Sequence, residues 1–303
     1  MSAPASAERF WMTPLSDARG PWLGEDLPGT TPKELRPDLL ATGRHSFCSV
    51  FNPRGDEFLF ATEDLEQDIA HLASMHMLED GSWTCPEPAP FNSEWNDNDI
   101  CMSPDGSRVA WRSWRPLPGK AEPEERSALW LADRTSQGWA NPRPVLCGGE
   151  VTYGGYPGIA GNGTIYFAGR RTDDECCVYR ARRDGDQYQA AEPIFGGMKS
   201  GGDLCVAPDE SFLVIAYWRV PTNWGEGDLY ITFRRHDGSW TPLMNLGAPI
   251  NTERIENCPM VSPDGARFFF FRYDRSTKDA RTYWVDASIL RARRAAALRE
   301  EGD

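Results

Sequence analysis

Five residues hold one position in a spaced series: Cys48, Asp99, Tyr156, Asp203 and Cys258, each five residues ahead of Pro53, Pro104, Gly161, Pro208 or Pro263. Two thiolates with two carboxylates are a competent donor set for a divalent cation, so Cys48, Asp99, Asp203 and Cys258 are the metal candidates. The plainer reading is structural. Small Cys side chains suit a crowded strand, and an Asp near a strand start commonly accepts from backbone N–H groups. Carboxylates that converge there raise one another's pKa, which a cation or basic ligand relieves. Beyond such a divalent cation, no cofactor is expected.

A second set lies beside the first. Trp95, Asn98, Asp99, Tyr156, Asp203 and Asn257 come from the stretches leading into the series, and Arg171, Arg219 and Arg272 from loops that also carry Trp114, Trp218, Trp224 and Tyr273. Guanidinium forks suit carboxylate or phosphate, and Trp or Tyr supplies a stacking face. Together these residues are the candidate site for a small polar molecule or a peptide. The competing reading pairs each Arg with a neighbouring acid in a solvated network. For catalysis, His45 with Asp97, Asp99 or Glu256 is the acid–base set the sequence offers. No GxSxG, GxxxxGK[ST], HExxH or GxGxxG pattern occurs, and with only His45 of the four His on a connection the sequence makes no case for a multi-His zinc centre.

The elements that position these residues follow from an internal repeat. Phe51-Asn52-Pro53-Arg54-Gly55, Met102-Ser103-Pro104-Asp105-Gly106, Ile159-Ala160-Gly161-Asn162-Gly163, Val206-Ala207-Pro208-Asp209-Glu210 and Val261-Ser262-Pro263-Asp264-Gly265 each precede an apolar run. Their steps of 51, 57, 47 and 55 residues fall in the range of propeller blades. Each unit reads as a strand, a Pro-Asp-Gly turn, a second apolar strand, a third strand with an aromatic (Trp130, Tyr179, Tyr230, Trp284), and a fourth opening at Trp83, Trp139, Tyr188 or Trp240. Sheets apolar on both faces bury them only by radial stacking.

The expected fold is therefore all-β: a single-domain β-propeller over 1–303 with four-stranded blades at about 45–98, 99–155, 156–202, 203–256 and 257–288. The last unit lacks its fourth strand. A segment within 8–36 supplies it, either Phe10–Pro14 or the stretch around Thr31-Pro32, closing the ring. Residues 289–303 read as a helix and tail. Five blades are favoured; six follow if 8–40 form a degraded extra unit. The turns then lie at one end of the axis, and the connections with the loops between second and third strands at the other, where a channel mouth is expected.

The Ser-Pro-Asp-Gly turns, aromatic third strands and Trp-x-x-Pro strands resemble the WD40-like PD40 repeats of TolB-type propellers, over about residues 20–290. The stretch from Trp22 to Pro32 is similar to the leader of standalone bacterial proteins of that group. The resemblance implies the fold. It does not imply one function, because that superfamily spans scaffolds, periplasmic partners, peptidase propellers and metal-dependent lyases. Arg54, Gly161-Asn162 and Glu210 depart from the turn pattern and are expected to weaken those turns.

Composition bounds the partners. With 32 Lys and Arg against 45 Asp and Glu, the net charge is −13, which argues against tracking nucleic-acid phosphates. No apolar run approaches the ~20 residues of a membrane helix. Met1–Met12 lacks a basic start and an apolar core, so the expected address is cytoplasmic. Eight Cys without a CxxC pair are expected as thiols. The functional expectation is a soluble module holding a small polar ligand or peptide on the connection face. The alternatives are a hydrolase, lyase or isomerase at the channel mouth, and a scaffold for a protein partner.

Overall fold

All five repeated turns close with the same bond. The N–H of Gly55, Gly106, Gly163, Glu210 and Gly265 donates to the carbonyl three residues earlier at 2.8–3.0 Å. Gly55 sits at φ +70°, and a Cβ there would meet the Trp22 ring at 2.5 Å, so both conformation and space require glycine. Glu210 adopts φ +56° in the corresponding place. Its carboxylate accepts from Tyr166 Oη at 2.5 Å, Arg234 Nη1 at 2.8 Å and Asn162 Nδ2 at 2.9 Å, which offsets the local strain. This departure from the pattern is therefore a built contact, not a weakened turn.

The computed structural model describes residues 17–40, 45–64, 69–172, 175–198 and 201–297. A two-residue strand β1 (Lys33–Glu34) and a short helix α1 (Pro37–Leu40) come first. The first sheet is β2 (His45–Phe51), β3 (Glu57–Asp64), β4 (Ile69–His76) and β5 (Glu87–Pro88); the second is β6 (Asp97–Met102), β7 (Arg108–Ser113), β8 (Ala128–Thr135) and β9 (Gly138–Pro144). The pair β10 (Leu146–Cys147) and β11 (Glu150–Val151) follows. The third sheet is β12 (Gly155–Ile159), β13 (Ile165–Thr172), β14 (Glu175–Ala181) and, after the short β15 (Arg183–Asp184) and β16 (Gln187–Tyr188), β17 (Glu192–Met198). Strands β11, β10, β16 and β15 form a small sheet of their own, in which β10 runs parallel to β16.

The fourth sheet is β18 (Gly201–Val206), β19 (Phe212–Trp218), β20 (Gly227–Phe233) and β21 (Met244–Asn245), and the last β22 (Ile255–Val261), β23 (Arg267–Asp274) and β24 (Asp279–Asp286). A parallel contact, Gly227 with Ile255, joins these two. The helical tail is two short turns, α2 (Ser288–Arg291) and α3 (Arg294–Ala297). The fourth strands of the first and fourth sheets are shorter than the sequence suggests, since Trp83 and Trp240 sit in single bridges to Met77 and Arg234 ahead of β5 and β21, and Tyr188 falls in β16 instead of opening β17.

Packing is radial. Strand β2 packs against β6, β6 against β12, β12 against β18, β18 against β22, and β22 against β2. Aromatics fill the wedges between sheets: Phe58 stacks on Phe60 at 5.1 Å and Phe269 on Trp284 at 6.0 Å, while Trp111, Tyr166 and Phe268 are completely buried. Strand β1 pairs antiparallel with β24, Lys33 opposite Trp284, and the Leu35 N–H donates to the Thr282 carbonyl at 2.8 Å. Buried Leu35, Leu39 and Leu40 back this pairing. Phe10–Pro14 lies outside the described residues. Among the described residues, no helix is long and apolar enough to cross a membrane.

Candidate functional site

Each innermost strand slips register at the residue the spacing singled out. The shifts fall between Phe47 and Val50, Asn98 and Cys101, Gly155 and Gly158, Gly201 and Leu204, and Asn257 and Met260. Cys48, Asp99, Tyr156 and Cys258 adopt φ of +47° to +53° at these bulges. Left-handed backbone costs roughly 1–3 kcal/mol for a residue with a Cβ, so surrounding contacts must hold it. The fourth sheet instead spends two glycines, Gly201 and Gly202, ahead of Asp203.

A bulge strips a backbone N–H of its ladder partner, and a carboxylate from the preceding sheet supplies one. The Tyr156 N–H donates to Asp99 Oδ2 at 3.3 Å and the Cys258 N–H to Asp203 Oδ2 at 3.2 Å. The Cys48 and Cys258 thiols point at the same carboxylates, 3.9 Å from Asp99 Oδ1 and 3.7 Å from Asp203 Oδ2. Asp99 and Asp203 are 4% and 3% exposed. Burial pushes Asp99 up to about 7, against the opposing pull of Arg112 and with help from Asp203. Burial likewise raises Asp203, although the Cys258 N–H bond works against it.

These groups close the axis instead of opening it. Two voids remain there, about 10 Å³ beside Cys48, Asp99, Tyr156 and Cys258, and about 20 Å³ near Pro104, Pro208 and Pro263. Each has room for about one water at most. The expected channel mouth is thus plugged by its own lining. Cys48, Asp99, Asp203 and Cys258, the metal candidates, meet here as two thiol–carboxylate pairs. Among the described residues no three His, Cys, Asp or Glu side chains stand where they could hold an ion. The thiols also stay protonated: Cys258 acts to lower Cys48, but burial and the Asp99 and Asp203 charges outweigh it and push Cys48 up to about 11. Cys48 and burial together hold Cys258 far above its usual range.

The usable space lies off the axis. A cavity of about 390 Å³ opens between the second and third sheets. One wall is Arg112 on β7 with Trp114, Arg126 and Ser127 from the long loop that follows; the other is Tyr153 and Gly155 from the connection into β12, with Arg170 and Cys176 on β13 and β14. The Arg112 guanidinium lies over the Trp114 ring at 4.1 Å, Nε donates to Ser127 Oγ at 2.7 Å, and Nη1 stands 3.6 Å from Asp99 Oδ2. Arg126 lies over Tyr153 at 4.0 Å, and Tyr153 Oη donates to Glu124 Oε2 at 2.5 Å. A Cβ on Gly155 would come within 3.0 Å of both Arg112 Cδ and Asp99 Oδ2, so glycine here lets the guanidinium reach the axial carboxylate.

Of the sequence-predicted residues, Tyr156 lines this cavity and Asp99 sits behind its Arg112 wall. Others are structural. Completely buried Asp97 accepts from the Ser93 N–H and Oγ, both at 2.7 Å, and from Arg115 Nη2 at 2.8 Å. Completely buried Glu256 accepts from the Thr252 N–H at 3.0 Å, Thr252 Oγ1 at 2.6 Å and Arg272 Nε at 2.8 Å. The expected pairing of Arg with neighbouring acids is thus realised at both places, and Arg272 is committed there. His45 stands 3.4 Å from Glu63 and edge-on to Tyr273 at 5.5 Å, so His45, Asp97 and Glu256 are engaged with separate partners. Trp95 donates its N–H to Ser93 Oγ at 3.2 Å, while Arg219 is exposed on the turn after β19 at φ +55°. The side-chain carbonyls of Asn98 and Asn257 are buried without a partner among the described residues. The Arg171 side chain lies outside the described residues.

The sequence matches no protein-family model and none of the curated proteins. Solved structures do resemble it in fold. An exo-β-1,3-galactanase, 1,3Gal43A from Clostridium thermocellum, is 14% identical over 86% of this chain and 62% of its own, with a TM-score of 0.50. Hydrazine synthase from Kuenenia stuttgartiensis is 14% identical over 80% of this chain and 37% of its own, at 0.48. The β-propeller domain of the trilobed protease from Pyrococcus furiosus is 12% identical over 80% and 69%, at 0.39. The chain spans little more than a third of the hydrazine synthase chain. At such identities a likeness bears on fold alone; it is the cyclic packing of the five innermost strands that makes the architecture a β-propeller.

Proposed function

We propose that this chain is a five-bladed propeller of the TolB-like PD40 type that holds a small polar ligand in the cavity between its second and third blades. Five innermost strands packed in a cycle support the count, and the β1–β24 pairing supports closure by an N-proximal strand. The observation that carries the function is the 390 Å³ cavity itself, which is walled by Arg and aromatic side chains already held in place. Its volume falls near the low end of ligand sites, about 300–1,000 Å³, which suits a small molecule better than an extended peptide.

Ligand capture is tested by a thermal-shift screen of sugars, organic acids, short peptides and divalent ions, followed by alkylation of Cys176 read by peptide mapping. A ligand that prefers the native state raises the melting temperature by mass action. The expected hit also shields Cys176, which lines the cavity. Hits that stabilise the protein yet leave Cys176 fully reactive would move the site elsewhere.

A further inference from the structure

We propose that the ligand of this cavity is an anion, a carboxylate or a phosphate ester, gripped by the edges of the Arg112 and Arg126 guanidinium groups. The inference rests on the binding reading above and adds the chemical class. Three arginines, Arg112, Arg126 and Arg170, face the cavity against one lining carboxylate, Glu125.

Two of the cations are fixed in advance. Arg112 is stacked on Trp114 and Arg126 on Tyr153. Stacking engages the flat face of a guanidinium and leaves edge N–H donors for a carboxylate or phosphate, although on Arg112 Nε is already given to Ser127 and Nη1 faces Asp99. Little side-chain freedom is then lost on binding. The acid nearest Arg112 lies on the axial side: Asp99 is 4% exposed and 3.6 Å from Nη1. Its negative charge is shielded from the cavity by the guanidinium.

The probes are phenyl phosphate, benzoate and the neutral benzyl alcohol, titrated calorimetrically into the full chain with Cys176 alkylation as the location readout. The two anions are expected to bind, to shield Cys176 and to weaken as salt is added, whereas benzyl alcohol does neither. Comparing phenyl phosphate with benzoate assigns the preferred headgroup. Arg126→Gln, at an exposed position, and Arg112→Gln should each weaken anion binding about tenfold or more, the loss of one charge-assisted contact. Arg126→Gln keeps the test valid if Arg112→Gln unfolds the chain. Benzyl alcohol shielding Cys176 as well as benzoate does would overturn the anion assignment and leave the binding site standing. Failure of all three probes to shield Cys176, with no other ligand shielding it in the screen, would remove both.

Discussion

Replacing Asp99 with asparagine isolates the cost of a buried charge at the axis. The carboxyl is 4% exposed and pushed from 3.8 up to about 7, chiefly by burial. Between about pH 4 and pH 7 the native state therefore holds a proton that the unfolded chain has released, so native stability falls as pH rises through that window. Above about pH 7 the penalty is complete. A shift of about three pKa units corresponds to on the order of 4 kcal/mol. The substituted amide would stay neutral throughout, and its oxygen can still accept from the Tyr156 N–H now bonded at 3.3 Å. The substitution D99N should consequently stabilise the fold at pH 8, by at most that amount because Arg112 loses a partner, and bring nothing at pH 4. Urea unfolding followed by tryptophan fluorescence across this range measures the difference between the two proteins, with other titrations cancelling. A difference that stays flat with pH, or is smallest at pH 8, refutes the assignment of the buried charge.

Two further outcomes follow from the same contacts. Asp97→Ala removes the carboxylate partner of Arg115, whose side chain is 12% exposed, and should cost roughly 3–5 kcal/mol of stability by urea unfolding, marking Asp97 as structural; a loss below about 1 kcal/mol contradicts that role. Leu35→Ala hollows out the support behind β1 and should cost about 2–5 kcal/mol, with faster amide exchange at Trp284, which by strand alternation faces β1 as Thr282 does; unchanged exchange there would mean β24 does not depend on β1.

The repeat was legible because its turn uses residues with narrow backbone preferences. Pro104-Asp105-Gly106 and Pro263-Asp264-Gly265 mark the same hairpin, and counting back five residues reaches the axial bulge in every sheet. The bulge itself was not legible: of Cys48, Asp99, Tyr156 and Cys258, only Asp is a residue type that favours left-handed backbone. The structural role of Asp97 and Glu256 did leave a trace, since Ser93 and Thr252 stand four residues before them and cap them in the same way. The cavity left less. Arg126, Ser127 and Tyr153 belong to a loop and a connection found in one unit only, so periodicity passes over them, although Arg112 and Trp114 were visible as a loop pair.

The pairing of β1 with β24 sets a schedule for synthesis. About 250 residues separate Glu34 from Tyr283, its partner across that pair. At ribosomal speeds of about 5–20 residues per second, Glu34 waits roughly 12 to 50 seconds for the strand it completes. Throughout that interval the nascent chain carries an orphan clasp at one end and an unfinished rim at the other. Occupying the rim early with another chain's clasp would link two molecules into one, so crowded polysomes are where this protein is most prone to exchange segments.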